Sequence, residues 1–262
     1  MNLNLTEKVV IVTGGAKGIG EGIVSQLALE GAFPVIVGRK KADNEEALAK
    51  VQAAGGFGFT VEAELSKPEE CEKAVKAVMD RFGRIDGLVN NAGINDGVGL
   101  ENGSAEAFMQ SISSNVLHYY LMAHYALPAL KESKGSIVNI TSKVADTGQG
   151  GTSGYAASNG GRNALTREWA VELLKYGIRV NAIVVAECYT PMYDRWIQSL
   201  PDGEAQLEQI KNRIPLGNRM TTTEELANMT VFLLSKRSSH TTGQIMYVDG
   251  GYVHLDRSLI KK

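Results

Sequence analysis

Tyr155 and Asn159 lie four positions apart in the segment Tyr-Ala-Ala-Ser-Asn, a spacing that places both side chains on one face of a helix. A tyrosine hydroxyl donates and accepts hydrogen bonds, so it can act as a general acid or base. A phenol has a reference pKa near 10, and a cation on the same helix face favours its ionised form. Residue 159 is a neutral amide, so the sequence predicts a proton-transfer site without the charge that would assist it.

A glycine-rich segment follows the first apolar run of the chain and indicates a phosphate-binding turn. Glycines let the backbone turn tightly and approach a pyrophosphate, which then lies at the N-terminus of the following helix. Glycines also mark ordinary turns between strands and helices, so the position after a predicted strand is what favours dinucleotide binding. The residues predicted to contact the dinucleotide here are Gly14, Lys17, Gly18, Ile19 and Gly20.

Cations follow the second predicted strand, which ends at Gly38. In this kind of site an acidic side chain holds the 2′-hydroxyl of NAD, whereas an arginine accommodates the 2′-phosphate of NADP. Arg39 and Lys40 occupy the place, and Lys17 would project toward the same pocket. Three positive charges favour NADP(H); NAD(H) is the alternative if these side chains are solvated surface charges, an interpretation that suits Lys40 best.

The ends of the third and fourth predicted strands supply further candidates for cofactor binding. Glu64 and Leu65 follow the third strand, where the carboxylate would face either the adenine amino group or bulk water. Asn91, Ala92 and Gly93 follow the fourth, where small residues allow a ligand to approach the backbone. A purely structural turn would also use Asn and Gly, so this segment alone does not decide between the two interpretations.

Short apolar segments alternate with longer amphipathic ones along the whole chain. The short segments predict seven buried parallel strands: Val9–Thr13, Pro34–Gly38, Gly58–Ala63, Gly87–Asn90, Ser136–Thr141, Arg179–Val184 and Gln244–Val248. The longer ones predict helices: Lys17–Glu30, Asn44–Ala54, Pro68–Phe82, Ala105–Leu130, Tyr155–Tyr176 and Glu224–Leu234. We therefore expect one α/β domain over residues 1–262, with a doubly wound parallel sheet and helices on both faces.

Residues 186–219 interrupt this alternation. The segment carries Tyr189, Tyr193 and Trp196 among polar residues, and it is longer than an ordinary connection. Its length favours a loop that covers or binds the substrate. The alternative is a helical hairpin on the surface with no role in binding.

The composition excludes several classes of function. A net charge of −2 and a pI near 6.1 leave no basic patch for nucleic acid or for an anionic membrane. Cys71 and Cys188 lie far apart, so we expect neither a disulfide framework nor a metal site. The polar start of the chain predicts no secretory signal, and no segment approaches about 20 apolar residues. The chain is expected to be cytoplasmic.

Several motifs in a fixed order resemble the short-chain dehydrogenase/reductase family, and the resemblance covers essentially the whole chain. Besides the glycine turn, the matching segments are Asn90–Gly93, Asn115, Ser142, Tyr155, Arg179–Ala182, Thr190–Met192, Thr242–Gly243 and Val248–Gly251. The resemblance implies a Rossmann-type fold, dehydrogenase or reductase activity with a nicotinamide cofactor, and assembly as a homotetramer or homodimer. The predicted helices over residues 105–130 and 155–176 would form the interfaces.

The resemblance also implies a role for each catalytic position. Tyr155 would exchange a proton with the substrate oxygen, and Ser142 would hydrogen-bond the same oxygen. Asn115 would support a water chain that carries the proton to solvent. Thr190 would bind the nicotinamide carboxamide. The hydride chemistry belongs to the cofactor, which the protein positions.

The family has a lysine where this chain has Asn159. That lysine holds the nicotinamide ribose and favours ionisation of the tyrosine; asparagine could keep the ribose contact, and Tyr155 and Asn159 are both counted among the cofactor-binding positions. Lys143 is the one tempting substitute for the charge. Adjacent strand residues point to opposite faces, so Lys143 would share the pocket of Ser142 only if the strand has ended. Val185-Ala186 is a second departure, since the family commonly has Pro-Gly there.

Polar side chains would rim the substrate cleft, whereas a pocket for a steroid or an acyl chain should be more apolar. The candidates are Asn95, His118, Lys143, Gln149, Glu187 and Trp196. For His118 the alternative is a hydrogen-bonded helix histidine. Segments such as Gly-Ile-Asn-Asp-Gly and Leu-His-Tyr-Tyr resemble the L-fucose dehydrogenase branch of the family. We therefore expect an enzyme that oxidises a sugar hydroxyl with NADP or NAD. The alternative is a catalytically silent dinucleotide-binding homologue, or a variant carrying an introduced Asn159.

Overall fold

A computed structural model describes residues 2–255, which form one sheet of seven parallel strands flanked by helices. The strands are β1 Val9–Thr13, β2 Phe33–Gly38, β3 Phe59–Glu62, β4 Gly87–Asn90, β5 Ser136–Ser142, β6 Arg179–Val185 and β7 Ile245–Val248. Their order in the sheet is β3-β2-β1-β4-β5-β6-β7. The order reverses between β1 and β4, which is where open sheets of this kind bind ligands. The predicted fold class is confirmed.

The helices cover both faces of the sheet. Between residues 2 and 255 they are α1 Gly18–Leu29, α2 Lys41–Ala53, α3 Pro68–Phe82, α4 Ala105–Ile112, α5 His118–Ser133, α6 Ser153–Glu172, α7 Pro191–Gln198, α8 Gly203–Asn212 and α9 Thr223–Leu234. In the same region no helix is long and apolar enough to cross a membrane, and no three His, Cys, Asp or Glu side chains come together as metal ligands.

The inner strands β1, β2, β4, β5 and β6 bury side chains on both faces, which explains why these segments are almost continuously apolar, whereas the edge strands β3 and β7 are only partly buried. In β1, Ile11 belongs to the core under α3, α5 and α6, whereas Val10 and Val12 belong to the core under α1, α2 and α9. These residues are 0–1% exposed. The two cores fix the sheet between its helical layers and so fix the positions of the strand ends.

The long helix predicted over Ala105–Leu130 is not continuous. A π-turn at Ser113–Leu117 separates α4 from α5. Hydrophobic periodicity is read over windows of about 11–18 residues, so a π-turn of five residues inside a longer helical segment is not revealed by it. Such turns occur frequently at functional sites, and this one contains Asn115.

The interrupted segment 186–219 folds mainly into α7 and α8, two short helices that the sequence pattern did not specify. Pro191 begins α7, and the hydroxyl oxygen of Thr190 accepts a hydrogen bond from the backbone N of Tyr193 at 3.2 Å. Proline at the first position and threonine at the cap are favoured because the first turn has unpaired N–H groups. The segment is therefore helical, as the alternative interpretation had it. Whether it takes part in substrate binding stays a prediction.

Candidate active site

The glycine turn between β1 and α1 has the geometry of a phosphate cradle. Gly14 and Gly18 adopt φ angles of 62° and 58°, a region that favours glycine. A Cβ at Gly20 would overlap the carbonyl oxygen of Gly14. Lys17 precedes α1 without a side-chain cap, so the first N–H groups of the helix are open to an anion.

Asn91 joins this turn to the end of β4. Its Nδ2 donates to the carbonyls of Thr13 at 2.9 Å and Gly14 at 3.2 Å. The hydroxyl oxygen of Thr13 accepts in return from the backbone N of Asn91 at 2.8 Å and of Ala92 at 3.1 Å. A Cβ at Gly14 would lie 3.1 Å from Cα of Ala92. The two loops at the sheet's switch point are thus one unit, packed so closely that a side chain at Gly14 would crowd Ala92.

The cations predicted to bind a 2′-phosphate have an acidic neighbour that the sequence interpretation missed. Arg39 and Lys40 are exposed after β2, as expected for a phosphate contact or for a solvated charge. Lys17 forms a salt bridge of 2.9 Å with Asp43 in α2. Hydrogen bonding and charge from Lys17 hold the pKa of Asp43 below its usual range. Lys17 is therefore partly neutralised, and the case for a 2′-phosphate depends mainly on Arg39.

The ends of β2 and β3 form the neighbouring wall. Asn44 is buried and its Nδ2 donates to the carbonyls of Gly38 at 2.9 Å and Val61 at 3.3 Å. Its Oδ1 is buried without a hydrogen-bond partner and faces Gly38. Glu64 Oε1 accepts from the hydroxyl of Ser66 at 3.1 Å, so this carboxylate is engaged locally. Sequence reasoning did not find Asn44, because an asparagine in the first turn of a helix is common on structural grounds alone.

Ile19 and Leu65 lie behind these groups. Leu65 is 8% exposed and belongs to one core, and Ile19 packs against the other. Leu65 therefore offers little side-chain surface to a ligand, whereas Ile19 is partly exposed.

Ser142 and Tyr155 lie on neighbouring elements at the carboxyl edge of the sheet. Ser142 is the last residue of β5, and its hydroxyl oxygen accepts from the backbone N of Val144 at 3.5 Å. Tyr155 is half-buried in the first turn of α6. The helix α6 packs against β5, β6 and the π-turn, so one of its faces lies against the sheet beside Ser142.

Asn115 holds the loop that follows β4. Its Nδ2 donates to the carbonyls of Ile94 and Ser111 at 3.0 Å each, and its Oδ1 accepts from the backbone N of Ile94 at 2.9 Å. The side chain is 0% exposed. Its amide is therefore fully used in positioning residues beyond Gly93.

Arg162 is the functional candidate that sequence reasoning missed. Its guanidinium is 2% exposed and donates through Nε to the carbonyl of Asn115 at 2.7 Å and through Nη1 to Oδ1 of Asn159 at 3.0 Å. It also stacks over the ring of Tyr119 at 4.2 Å. The signal was available, because position 162 lies three residues after 159 on the same helix face.

Asn159 and Asn115 are both buried in this arrangement. Nδ2 of Asn159 donates to the carbonyl of Tyr155 at 2.8 Å, and its Oδ1 accepts from Arg162, so the amide is engaged within the helix and its contact with a ribose stays a prediction. The backbone carbonyl of Asn115 accepts from Arg162, and the role of Asn115 in a water chain also stays a prediction.

The predicted substrate contact of His118 is corrected. The ring is 2% exposed and its Nε2 lies 3.0 Å from the carbonyl of Ala92, which the neutral ring satisfies as a donor. Burial, reinforced by the charge of Arg162, lowers the pKa of His118 to about 3. His118 thus stays neutral and holds the turn after β4, which is the structural alternative.

Lys143 and Glu187 form a salt bridge with about nine-tenths of each side chain buried. The strand β5 ends at Ser142 and Lys143 begins a short 3-10 turn, so the condition for Lys143 to share that edge is met.

Tyr193, whose hydroxyl was not predicted, donates to Oε2 of Glu187 at 2.8 Å. Burial and then the charge of Glu187 raise the pKa of Tyr193. The ring of Tyr252 lies 4.3 Å from the ammonium of Lys143. Because Lys143 is paired with a carboxylate, it is no free substitute for a lysine at 159.

The remaining predicted substrate residues are more exposed. Asn95 accepts from the backbone N of Gly97 at 3.3 Å in a local turn, and Gln149 lies exposed before α6. Trp196 is 46% exposed on α7 and packs edge-on against Tyr193 at 5.1 Å. A Cβ at Gly18 would lie 3.3 Å from Thr190, so the start of α7 lies against the glycine turn.

A family model described as enoyl-(acyl carrier protein) reductase matches residues 14–253. The chain belongs to the short-chain dehydrogenase/reductase family. It is an oxidoreductase that uses a nicotinamide dinucleotide and acts on a small molecule.

Three similar proteins illustrate the members of the family that this chain resembles. The L-fucose dehydrogenase of Bos taurus is 35% identical over 254 residues, which cover 96% of this chain and 91% of that protein. The 3-oxoacyl-(acyl carrier protein) reductase FabG of Thermotoga maritima is 36% identical over 255 residues, which cover 96% and 100%. The crystal structure of Cj0485 dehydrogenase matches with a TM-score of 0.94 at 47% identity and covers 100% of both chains.

Replacing Gly20 by Ala should weaken dinucleotide binding while leaving the protein folded. The new Cβ would overlap the carbonyl of Gly14 and approach Asn91, so the turn must open. We expect binding of NADP and NAD, measured by titration calorimetry, to weaken by more than about tenfold, which corresponds to about 1.4 kcal/mol.

The matched control is Gly160→Ala, also a glycine in a helix, where a Cβ meets nothing within 4 Å. This variant should bind as the wild type does and gain up to about 1 kcal/mol of stability. Wild-type affinity in Gly20→Ala would show that the turn does not hold the dinucleotide.

Proposed function

We propose that this oxidoreductase interconverts a sugar hydroxyl and its carbonyl, with an aldose resembling L-fucose as substrate. The observation that carries the proposal is the buried pair of Lys143 and Glu187 beside Ser142. Both residues follow neighbouring parallel strands, whose ends are paired in register at Ser142 and Val185. Their charges therefore lie at the same sheet edge as the catalytic serine.

A sugar fits such a wall better than an acyl chain does. Hydroxyl groups donate to a carboxylate and accept from an ammonium, so a polyol can replace the water that these groups lose on binding. An apolar chain would desolvate the charges without compensation. The relatives include both an L-fucose dehydrogenase and a 3-oxoacyl reductase at nearly equal identity, so the polar wall is what favours the sugar.

In this proposal Tyr155 exchanges the proton of the reacting oxygen, and Ser142 hydrogen-bonds the same oxygen. The bound nicotinamide supplies or accepts the hydride. The helices α7, which carries Tyr193 and Trp196, and α8 would close over the sugar. Tyr193 links this segment to the charged pair through Glu187.

Turnover should be seen with L-fucose or a related aldose and not with a 3-oxoacyl thioester. The measurement is reduction of NADP and NAD by a panel of aldoses, and oxidation of the reduced cofactors by an acetoacetyl thioester. Tyr155→Phe should lose at least about a hundredfold in kcat, in line with general acid–base catalysis. Turnover of the thioester alone would contradict the proposal, and no turnover of any compound would favour the silent homologue.

A double variant tests the polar wall within the same experiment. Lys143→Met together with Glu187→Leu removes both charges. Replacing both partners of a buried ion pair costs the protein little stability, whereas removing one partner leaves the other charge buried and unpaired. We expect its KM for the sugar to rise by about tenfold or more while the melting temperature holds. An unchanged KM in the folded variant would remove these residues from substrate binding.

We propose NADP as the preferred cofactor, with NAD as the alternative. Arg39 is exposed directly after β2, at the place that meets the ribose 2′-position, and its planar guanidinium suits a phosphate. The carboxylate of Asp43 opposes this preference, but it is already paired with Lys17.

Arg39→Asp should therefore reverse the preference. A carboxylate repels the 2′-phosphate and accepts from the 2′-hydroxyl, so kcat/KM for NADP should fall by about tenfold or more relative to NAD. Lys40→Asp serves as the control, since Lys40 is the cation best explained as a surface charge. An unchanged ratio in Arg39→Asp would refute the assignment.

We further propose a homo-oligomer that uses the α4–α5 face. Apolar side chains are exposed there in one region: Phe108, Met109, Leu117 and Tyr120 are 37–62% exposed. Exposed apolar patches commonly mark interfaces. Analytical ultracentrifugation should give a dimer or tetramer for the wild type, and Met109→Glu with Tyr120→Glu should dissociate it. A monomeric wild type would contradict the proposal.

A further inference from the structure

The centre of the site contains a buried cation without an anion. Arg162 is 2% exposed, and among the residues the structure describes no carboxylate forms a salt bridge with it. Its partners are carbonyls, an asparagine amide and an aromatic face, which accept hydrogen bonds or attract a cation without cancelling its charge. A buried guanidinium held in this way gives its surroundings a fixed positive potential.

Two hydrogen bonds link Arg162, through Asn159, to the backbone of Tyr155. Its Nη1 donates to Oδ1 of Asn159 at 3.0 Å, and Nδ2 of Asn159 donates to the backbone carbonyl of Tyr155 at 2.8 Å. Seven residues of α-helix rise about 10.5 Å, and helical side chains lean toward the N-terminus, so the guanidinium extends back toward Tyr155. The amide of Asn159 lies between the charge and the tyrosine.

The surroundings make room for this guanidinium. A Cβ at Gly93 would lie 2.8 Å from Nη2 of Arg162 and 3.1 Å from Oδ1 of Asn115. The π-turn leaves the backbone carbonyl of Asn115 free for Nε. Gly93 thus provides space for the guanidinium, and the π-turn provides an acceptor for it. A side chain that only filled space in the core would need neither feature.

We infer that Arg162, oriented by Asn159, supplies the positive charge that favours ionisation of Tyr155, in place of the lysine that the family has at position 159. Arg162 is a positioning residue in this scheme, since it touches neither substrate nor cofactor. A guanidinium keeps its proton in proteins, so it contributes charge and does not relay the proton. The inference rests on the proposed function only in taking Tyr155 as the group that exchanges the proton.

Other titratable groups near Arg162 and Tyr155 do not compete with this role. His118 and Tyr119 interact with Arg162, and burial keeps both of them neutral at neutral pH. Lys143 is paired with Glu187, and Asp96 accepts from the hydroxyl of Ser111 on α4 at 3.1 Å. Arg162 is therefore the charge without an anionic partner in this part of the described chain.

The first experiment removes the charge and follows the pH profile. In Arg162→Gln the pH at which kcat/KM rises should move up by about one unit, equivalent to about tenfold lower activity at neutral pH and recovery at high pH. Arg162→Lys should retain most of the wild-type profile. The control is Arg167→Gln, which removes an exposed arginine from the same helix and should leave the profile unchanged.

A merely structural role predicts a different result. Loss of packing would lower the rate equally at every pH and would not be rescued by lysine. A folded Arg162→Gln enzyme with the wild-type pH profile would overturn the inference.

The second experiment adds readouts that need no substrate, namely the melting temperature and nucleotide binding. Asn159→Lys alone restores the family's lysine but puts a second cation beside Arg162 and removes its amide acceptor, so the melting temperature should fall and activity should not rise. Asn159→Lys combined with Arg162→Met should recover both the melting temperature and nucleotide binding, because the two positions would act as one unit. A stable and more active Asn159→Lys single variant would overturn the inference.

These outcomes remain distinguishable from failure of the sugar proposal. If the wild type turns over none of the sugars, the ionisation of the phenol is read by ultraviolet difference titration of the nucleotide-bound protein against Tyr155→Phe. The titration should move to higher pH in Arg162→Gln. An unmoved titration would overturn the role of Arg162, whatever the substrate proves to be.

Discussion

A guanidinium that is buried without a carboxylate constrains the centre of this molecule. Such a charge is tolerated only where enough oriented dipoles surround it, so the groups around Arg162 are not free to vary independently. The π-turn presents the carbonyl of Asn115, the amide of Asn159 turns inward, and Gly93 lacks a side chain. The helix that carries Tyr155, the loop after β4 and the α4–α5 junction therefore meet through one residue.

The fold was largely predictable because a strand that is buried on both faces is almost continuously apolar, and that pattern is visible in the sequence. Each predicted strand lies within one residue of its observed bounds at either end. The π-turn was not predictable, because five residues are too few to be recognised in a periodicity that is read over about 11–18 residues. The helices α7 and α8 are too short, at 8 and 10 residues, for periodicity to distinguish them from a loop.

The site was predictable in its residue types and less so in its orientations. The glycine turn is indicated by its place after the first strand, and the roles of Ser142 and Tyr155 are implied by the family resemblance. Asn159 was expected to face the cleft, and its burial depends on Arg162, which only the folded helix brings within hydrogen-bond distance. The position of Lys143 depended on where β5 ends, and a strand boundary is the feature that sequence patterns define least well.

A lysine at position 159 would serve two tasks with one ammonium, since it would contact the ribose and also favour ionisation of the tyrosine. The arrangement here separates them. The charge lies beneath the surface, where solvent screens it less than it would an exposed ammonium. Asn159 itself brings no charge to the ribose, so in this arrangement contact with the ribose would fall to neutral polar groups and to the backbone. A buried arginine also loses more than a lysine would if one partner is removed, because its fixed geometry depends on several acceptors at once. The pair of Asn159 and Arg162 is thus expected to change together or not at all, and a search for relatives with the same chemistry should look for both residues.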